Sequence, residues 1–177
     1  MTITQVPSTL PLGLAQIATG SCSGATVTIS GIGGYDYYNV TFQGIRTGSA
    51  DNNPDYYLRI NANTSSNYLW SGHSNYTASS QTAKTTGNDS ISLMPGMQAR
   101  RQNGDNLFNI TFDNCNVNGF IRYSIVGVFP ESSGGTSTGT TLSGFFKVAT
   151  NLSSLVLSMS GGTTFDQGTY TVWGGRN

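Results

Sequence analysis

Beyond residue 25, apolar and polar side chains alternate along most of the chain, the period of strands that bury one face and wet the other. ATVTIS sets Val27 and Ile29 on one side, and YDYYNVTFQG does the same with Tyr38, Val40 and Phe42. YYLRIN carries Leu58 and Ile60, NYLWSG is a shorter candidate, and NLFNITF alternates Phe108, Ile110 and Phe112. GFIRYSIVGVF is the longest apolar run. It puts Tyr123, Ile125 and Phe129 on one face and Val126 and Val128 on the other, so both faces are expected to be covered. DSISLMPGM gives a short strand stopped by Pro95, and GFFKVA, SSLVLSMS and GTYTVWG read as three more.

Between these runs lie turn signals: GIGG, DNNPD, ARRQNGDN, DNCNVNG and SSGGTSTGTT. The polar stretch from His73 to Asn88 reads as a long exposed loop. No window has a helical moment. About nine or ten short strands with regular turns predict a sandwich or barrel. The expected fold is all-β, a jelly-roll-like antiparallel β-sandwich with an extended N-terminal arm.

The first 24 residues break the pattern. Ile3, Val6, Leu10, Leu12, Leu14 and Ile17 fit neither period, and Pro7 and Pro11 impose extended backbone around them. Such a segment has no means of burying itself. The expected organisation is an arm over residues 1–24, docked on a neighbouring subunit or on the domain surface, with a frayed terminus as the competing reading, and a single β-sandwich domain over residues 25–177.

Composition narrows the function classes. Only 9% of the 177 residues are charged, and Lys plus Arg balance Asp plus Glu at 8 each. The surface is therefore built from Ser, Thr, Asn, Gln and Gly. With no net charge to hold copies apart, a place in an assembly is favoured. Nucleic acid is not an expected partner, because a basic footprint is missing and the lysines are Lys84 and Lys147 alone. No run approaches the ~20 apolar residues of a membrane helix. No basic residue precedes Arg46, so export through a signal peptide is not expected. Cys22 and Cys115 are expected to be reduced and buried.

Catalytic chemistry is sparse. The one histidine, His73, lies in WSGHSNY, a context expected of a solvated loop. Most acidic residues sit in turn sequences, where Asp bonds its own backbone, and the only Glu is Glu131. Asp51 and Asp55 in DNNPD lack the spacing of a calcium loop. No catalytic residue, metal or cofactor is expected. Asn-x-Ser/Thr occurs six times, as a chain so rich in these residues produces by chance. Two binding features remain. Arg100-Arg101 is the only basic pair, for which an acidic partner surface competes with a solvated loop. Tyr35, Tyr37, Tyr56, Tyr68, Trp70 and Tyr76 stand in or beside loops, with Tyr68, Trp70 and Tyr76 as candidates for stacking on sugars and core burial as the competing role.

The C-terminal NLSSLVLSMSGGTTFDQGTYTVWGGRN resembles the closing motif of a family of small phage virion and tail-fibre-associated β domains. The matching positions are Leu152, Leu155, Leu157, Gly161, Gly162, Phe165, Gly168, Thr169, Tyr170, Val172, Trp173 and Gly174. ATVTISGI with YDYYNVTFQGI is similar to that family's opening strands, and LRINANTSSNYLW to its Asn-rich turn element. The resemblance touches most of residues 25–175 through short polar motifs. It implies a compact, often trimeric sandwich that decorates capsids or sits on tail fibres, and it carries over no catalytic residue. The leader, and the lack of a coiled-coil or β-helical shaft, depart from the tail-fibre pattern. The expectation is a capsid decoration, or cement, protein in the virion, assembled in the host cytoplasm. It would be a homo-oligomer, expected as a trimer, bound to the major capsid protein or another virion protein through Ile3, Val6, Leu10, Leu12, Arg100 and Arg101. The alternative is a tail-fibre or receptor-binding module for host surface glycans.

Overall fold

Alternation becomes burial. Phe108, Ile110 and Phe112 are buried while Leu107, Asn109, Thr111 and Asp113 face outward, and Leu155, Leu157 and Met159 repeat the pattern. Each such side chain taken from water contributes roughly 1.5–3 kcal/mol. The computed structural model describes residues 13–47, 55–76, 79–94, 106–117, 119–130 and 137–176. Over these, the strands are β1 (Ala15–Ser21), β2 (Thr26–Ser30), β3 (Tyr37–Thr47), β4 (Tyr56–Ile60), β5 (Tyr68–Tyr76) and β6 (Ser79–Asn88). They continue as β7 (Ile91–Ser92), β8 (Leu107–Asp113), β9 (Ile121–Pro130), β10 (Ser137–Phe146), β11 (Ser154–Met159) and β12 (Phe165–Gly175). One 3-10 turn, Ser160–Gly162, joins β11 to β12.

Two antiparallel sheets form the sandwich, an eight-stranded one ordered β1-β12-β3-β8-β9-β10-β5-β6 and a four-stranded one ordered β2-β11-β4-β7. The order has a simple origin. With β5, β6, β9 and β10 set aside, the remaining strands pair from the outside in: β1 with β12, β2 with β11, β3 with β8 and β4 with β7. That is one long hairpin. Rolling it up brings β12 beside β3 and β11 beside β4, which creates the two layers. This is the jelly roll. The other four strands are two inserts, β5–β6 between β4 and β7 and β9–β10 between β8 and β11, and both extend the larger sheet past β8.

The buried faces meet in one core that includes Tyr38, Val40, Phe42, Leu58, Ile60, Phe108, Phe112, Ile125 and Leu157. Its tyrosines carry their hydroxyls to backbone groups. Tyr38 Oη donates to the Ile32 carbonyl at 2.6 Å, and Tyr68 Oη accepts from the Ile60 N–H at 2.8 Å. Burying the rings therefore leaves these oxygens satisfied.

Four expectations change. Residues 15–21, assigned by sequence to the arm, form β1 and pair with β12, so the sandwich begins before residue 25. The leader that precedes them, residues 1–12, lies outside the described residues. The expected His73–Asn88 loop is the far half of β5 followed by β6, joined in a regular antiparallel ladder. Backbone pairing needs no apolar side chains, and Thr is at home on a pleated surface. The end of the expected SSGGTSTGTT loop is likewise the start of β10. Last, Val126 and Val128 are uncovered, with 56% and 48% of their surface open, because the smaller sheet packs on the opposite side.

Candidate functional site

The outer face of the large sheet carries the unusual chemistry. Val128 pairs with Leu107 across β9 and β8, and Val126 follows on the same face. Leu107 is 44% exposed. Beside them, among the described residues, lie polar uncharged pairs. Asn39 Nδ2 donates to Asn109 Oδ1 at 2.7 Å, and the Thr111 and Ser124 hydroxyls share a hydrogen bond of 2.6 Å. Side-chain pairs of this kind fix the polar groups to one another, which lowers the desolvation cost of covering them.

At the other end of β9 the same face sinks into a depression of about 470 Å³. It is lined by Leu69, Trp70 and Ser71 of β5, Lys84 and Thr85 of β6, Arg122 and Tyr123 of β9, and Ser143, Gly144 and Phe145 of β10. Every lining residue belongs to one of the two inserts. Gly144 is required where it stands: a Cβ there would lie 2.7 Å from the Tyr123 hydroxyl and 2.0 Å from the Leu69 carbonyl oxygen. Tyr123 uses that gap to donate to Leu69 O at 3.0 Å. Burial pushes the Tyr123 phenol well above its ordinary range, so it remains a neutral donor. Arg122 also lines a smaller, polar depression with Asp36, Tyr37, Asp113 and Asn114.

The sequence candidates distribute unevenly over this surface. Ile3, Val6, Leu10, Leu12, Arg100 and Arg101 lie outside the described residues. Tyr68 is a core residue packed on Phe146 with ring centroids 4.8 Å apart, and so offers no face to a sugar. Tyr56 is buried as well. Trp70 is buried but borders the depression, and Tyr76 ends β5. Phe145, Lys84 and Arg122 were not singled out by sequence. Their grouping depends on the register of β9, β10, β5 and β6, and no local motif announces it.

His73 is held by uncharged partners, Asn75 Oδ1 at 2.6 Å from Nε2 and the Thr82 hydroxyl at 3.5 Å from Nδ1. GTSTG at 135–139 has the letters of a nucleophile elbow, but that motif needs a strand-to-helix turn. Here Ser137 opens strand β10, and His73 pairs further along at Thr141, about 13 Å away at ~3.3 Å per residue. Two carboxylates are spoken for, Asp166 by Arg46 at 2.9 Å and Asp89 by Arg59 at 2.8 Å. The hydrogen bonds from Arg59 hold Asp89 below the usual carboxylate range. Cys22 and Cys115 are buried free thiols, and burial raises them to about 11 and about 12. Among the described residues no group of three or more His, Cys, Asp and Glu side chains gathers, and no helix is long and apolar enough to cross a membrane. Compared with known proteins, the chain matches no family model and no curated protein.

Proposed function

We propose that this protein is a structural component of a phage virion, a capsid decoration (cement) protein that binds the outer shell as an oligomer. The observation that carries the reading is the outer face around the exposed Leu107, Val126 and Val128, which the chain's own sandwich leaves open. Jelly rolls recur in viral capsid proteins and in lectins, so the fold agrees with the role without deciding it. The resemblance of residues 151–177 to virion β domains points the same way. A protein that binds only the assembled shell stabilises it by mass action, by about 2.7 kcal/mol per site when its free concentration is a hundred times Kd. Closed cyclic symmetry would repeat one patch on identical subunits.

The test mixes purified protein with shells of the virus that encodes it and follows co-sedimentation and the temperature of shell disruption. The wild type should sediment with shells and raise that temperature. Val126→Asp combined with Val128→Asp should remain folded and lose both effects, as should removal of residues 1–12, which leaves β1 intact. Wild-type protein that stays in the supernatant overturns the proposal.

The second reading, a module that recognises host surface glycans, is favoured by the depression between the inserts.

A further inference from the structure

We infer that the depression between the two inserts is a binding site for an acidic oligosaccharide, a chain of sugar rings bearing more than one carboxylate. The inference deepens the glycan-recognition reading, on which it rests, by naming the ligand class and the residues that select it.

The outer-face rows follow from register. Arg122, Phe145 and Leu69 stand side by side on β9, β10 and β5, and the next row is Ser124, Ser143, Ser71 and Lys84. Arg122 and Lys84 thus occupy opposite rims. Their backbones are three strand spacings apart, ~14 Å at ~4.8 Å each, and both side chains are long. That spacing leaves room for a short chain of sugar rings running from one rim to the other.

Among the described residues neither cation makes an ion pair. The ion pairs among the described residues are Arg46–Asp166 and Arg59–Asp89. Although Asp113 is the cross-strand partner of Arg122, no ion pair joins them. Two cations outside any ion pair of the described residues, on a surface with so few charges, favour an anion, and a guanidinium grips a carboxylate through two parallel N–H bonds.

Between the rims the lining is apolar and hydroxylic. Phe145 is 48% exposed and offers a ring on which the C–H face of a sugar can stack. Ser71 and Ser143 supply hydroxyls that donate to or accept from sugar hydroxyls. Trp70 lines the same depression, and its indole N–H is the one buried side-chain polar group among the described residues that lacks a partner. A volume of about 470 Å³ falls within the ~300–1,000 Å³ of small-ligand sites.

The experiment titrates the full chain, by calorimetry and by amide NMR, with trigalacturonate, with neutral maltotriose and with a thymidine oligonucleotide. Trigalacturonate should bind at least about tenfold more tightly than maltotriose, the worth of one charge-assisted contact. Shifts should centre on Ser71, Lys84, Arg122 and Phe145, and binding should weaken in 0.5 M salt. Arg122→Gln and Lys84→Gln should each cost about tenfold, and Phe145→Ala should weaken both saccharides, with melting temperatures unchanged. Equal affinity for the two saccharides would overturn the acidic preference while leaving glycan recognition standing. Binding of neither would overturn both. Tighter binding of the oligonucleotide, or shifts elsewhere on the protein, would also sink the assignment.

Discussion

Asn106 should hold the end of the β3–β8 ladder by acting as an extra peptide group. The paired residues run out at Gln43 and Leu107. Beyond them the buried Asn106 side chain accepts from the Ile45 N–H at 2.7 Å and donates to the Ile45 carbonyl at 2.5 Å, while the main-chain carbonyl of Asn106 accepts from the Gly44 N–H at 2.8 Å. Asn106→Ala strips the Ile45 N–H of its acceptor in a place water does not reach. A buried donor left unpaired costs about 1–3 kcal/mol, and the lost bond to the carbonyl about 1 kcal/mol more. The carbonyl itself keeps the Tyr56 hydroxyl at 3.4 Å. A loss of ~2–4 kcal/mol lowers the melting temperature of a chain this long by about 5–15 °C, measured by scanning calorimetry. Asn106→Asp separates hydrogen bonding from packing. Protonated, the new carboxyl can donate to the carbonyl and accept from the N–H as the amide does. Ionised, it can only accept, and its charge is buried. Its folded-state pKa therefore lies above the unfolded value of about 3.9, so its stabilising form is complete below that value and is lost as pH rises through the folded pKa. The variant should approach the wild type near pH ~3.5 and fall well below it at pH ~7. An alanine variant that melts within about 1 °C of the wild type, or an aspartate deficit independent of pH, would refute the reasoning.

Three further outcomes follow from the same packing. Gly168, at φ 123°, sits in the irregular stretch between β12 and β3, and a Cβ there would come within 2.8 Å of Ile45 Cα, so Gly168→Ala should cost more than about 1 kcal/mol in guanidinium unfolding. Burial raises the Asp55 carboxyl more than the Tyr57 hydroxyl, at 2.9 Å, lowers it. Its ionised form thus opposes folding, and Asp55→Asn should raise the melting temperature at neutral pH and lose that advantage once pH falls below the ordinary carboxylate range. Cys22 and Cys115, as buried thiols raised to about 11 and about 12, should resist an aromatic disulfide reagent at pH ~8 in the native protein and react fully in denaturant.

The layers of the sandwich were legible because their strands need only one dry face. The strands carrying Val27, Phe42, Leu58, Ile110 and Leu157 announce that face by alternation, and each of these residues is in the core. Alternation fails where both faces are polar or where pairing alone defines the strand. β6, reading SSQTAKTTGN, is such a case, held by its ladder to β5. β1 was hidden for a related reason, since Ile17 and Ala18 are only partly buried and a register irregularity between Gln16 and Ala18 disturbs the period. The depression was out of reach altogether. Its rims are residues 38 positions apart in the chain, Lys84 and Arg122, and only the order β9-β10-β5-β6 sets them across one surface.

That order also sets apart the outer surface that the protein can offer a partner, although the inner faces of the inserts still pack the core through residues such as Tyr68, Ile125 and Phe146. The eight strands of the rolled hairpin close both layers by pairing among themselves. The inserts are attached to β8 through β9 and are absent from the smaller sheet. Val126 and Val128 stand on β9, the inserted strand next to β8, and the whole lining of the depression comes from the four inserted strands. Side chains on the outer face of an extension are freed from packing the core, so their chemistry can be set by whatever they meet. A substitution at Arg122, Phe145 or Val126 is therefore expected to act on binding, and one at Asn106 or Gly168 on stability.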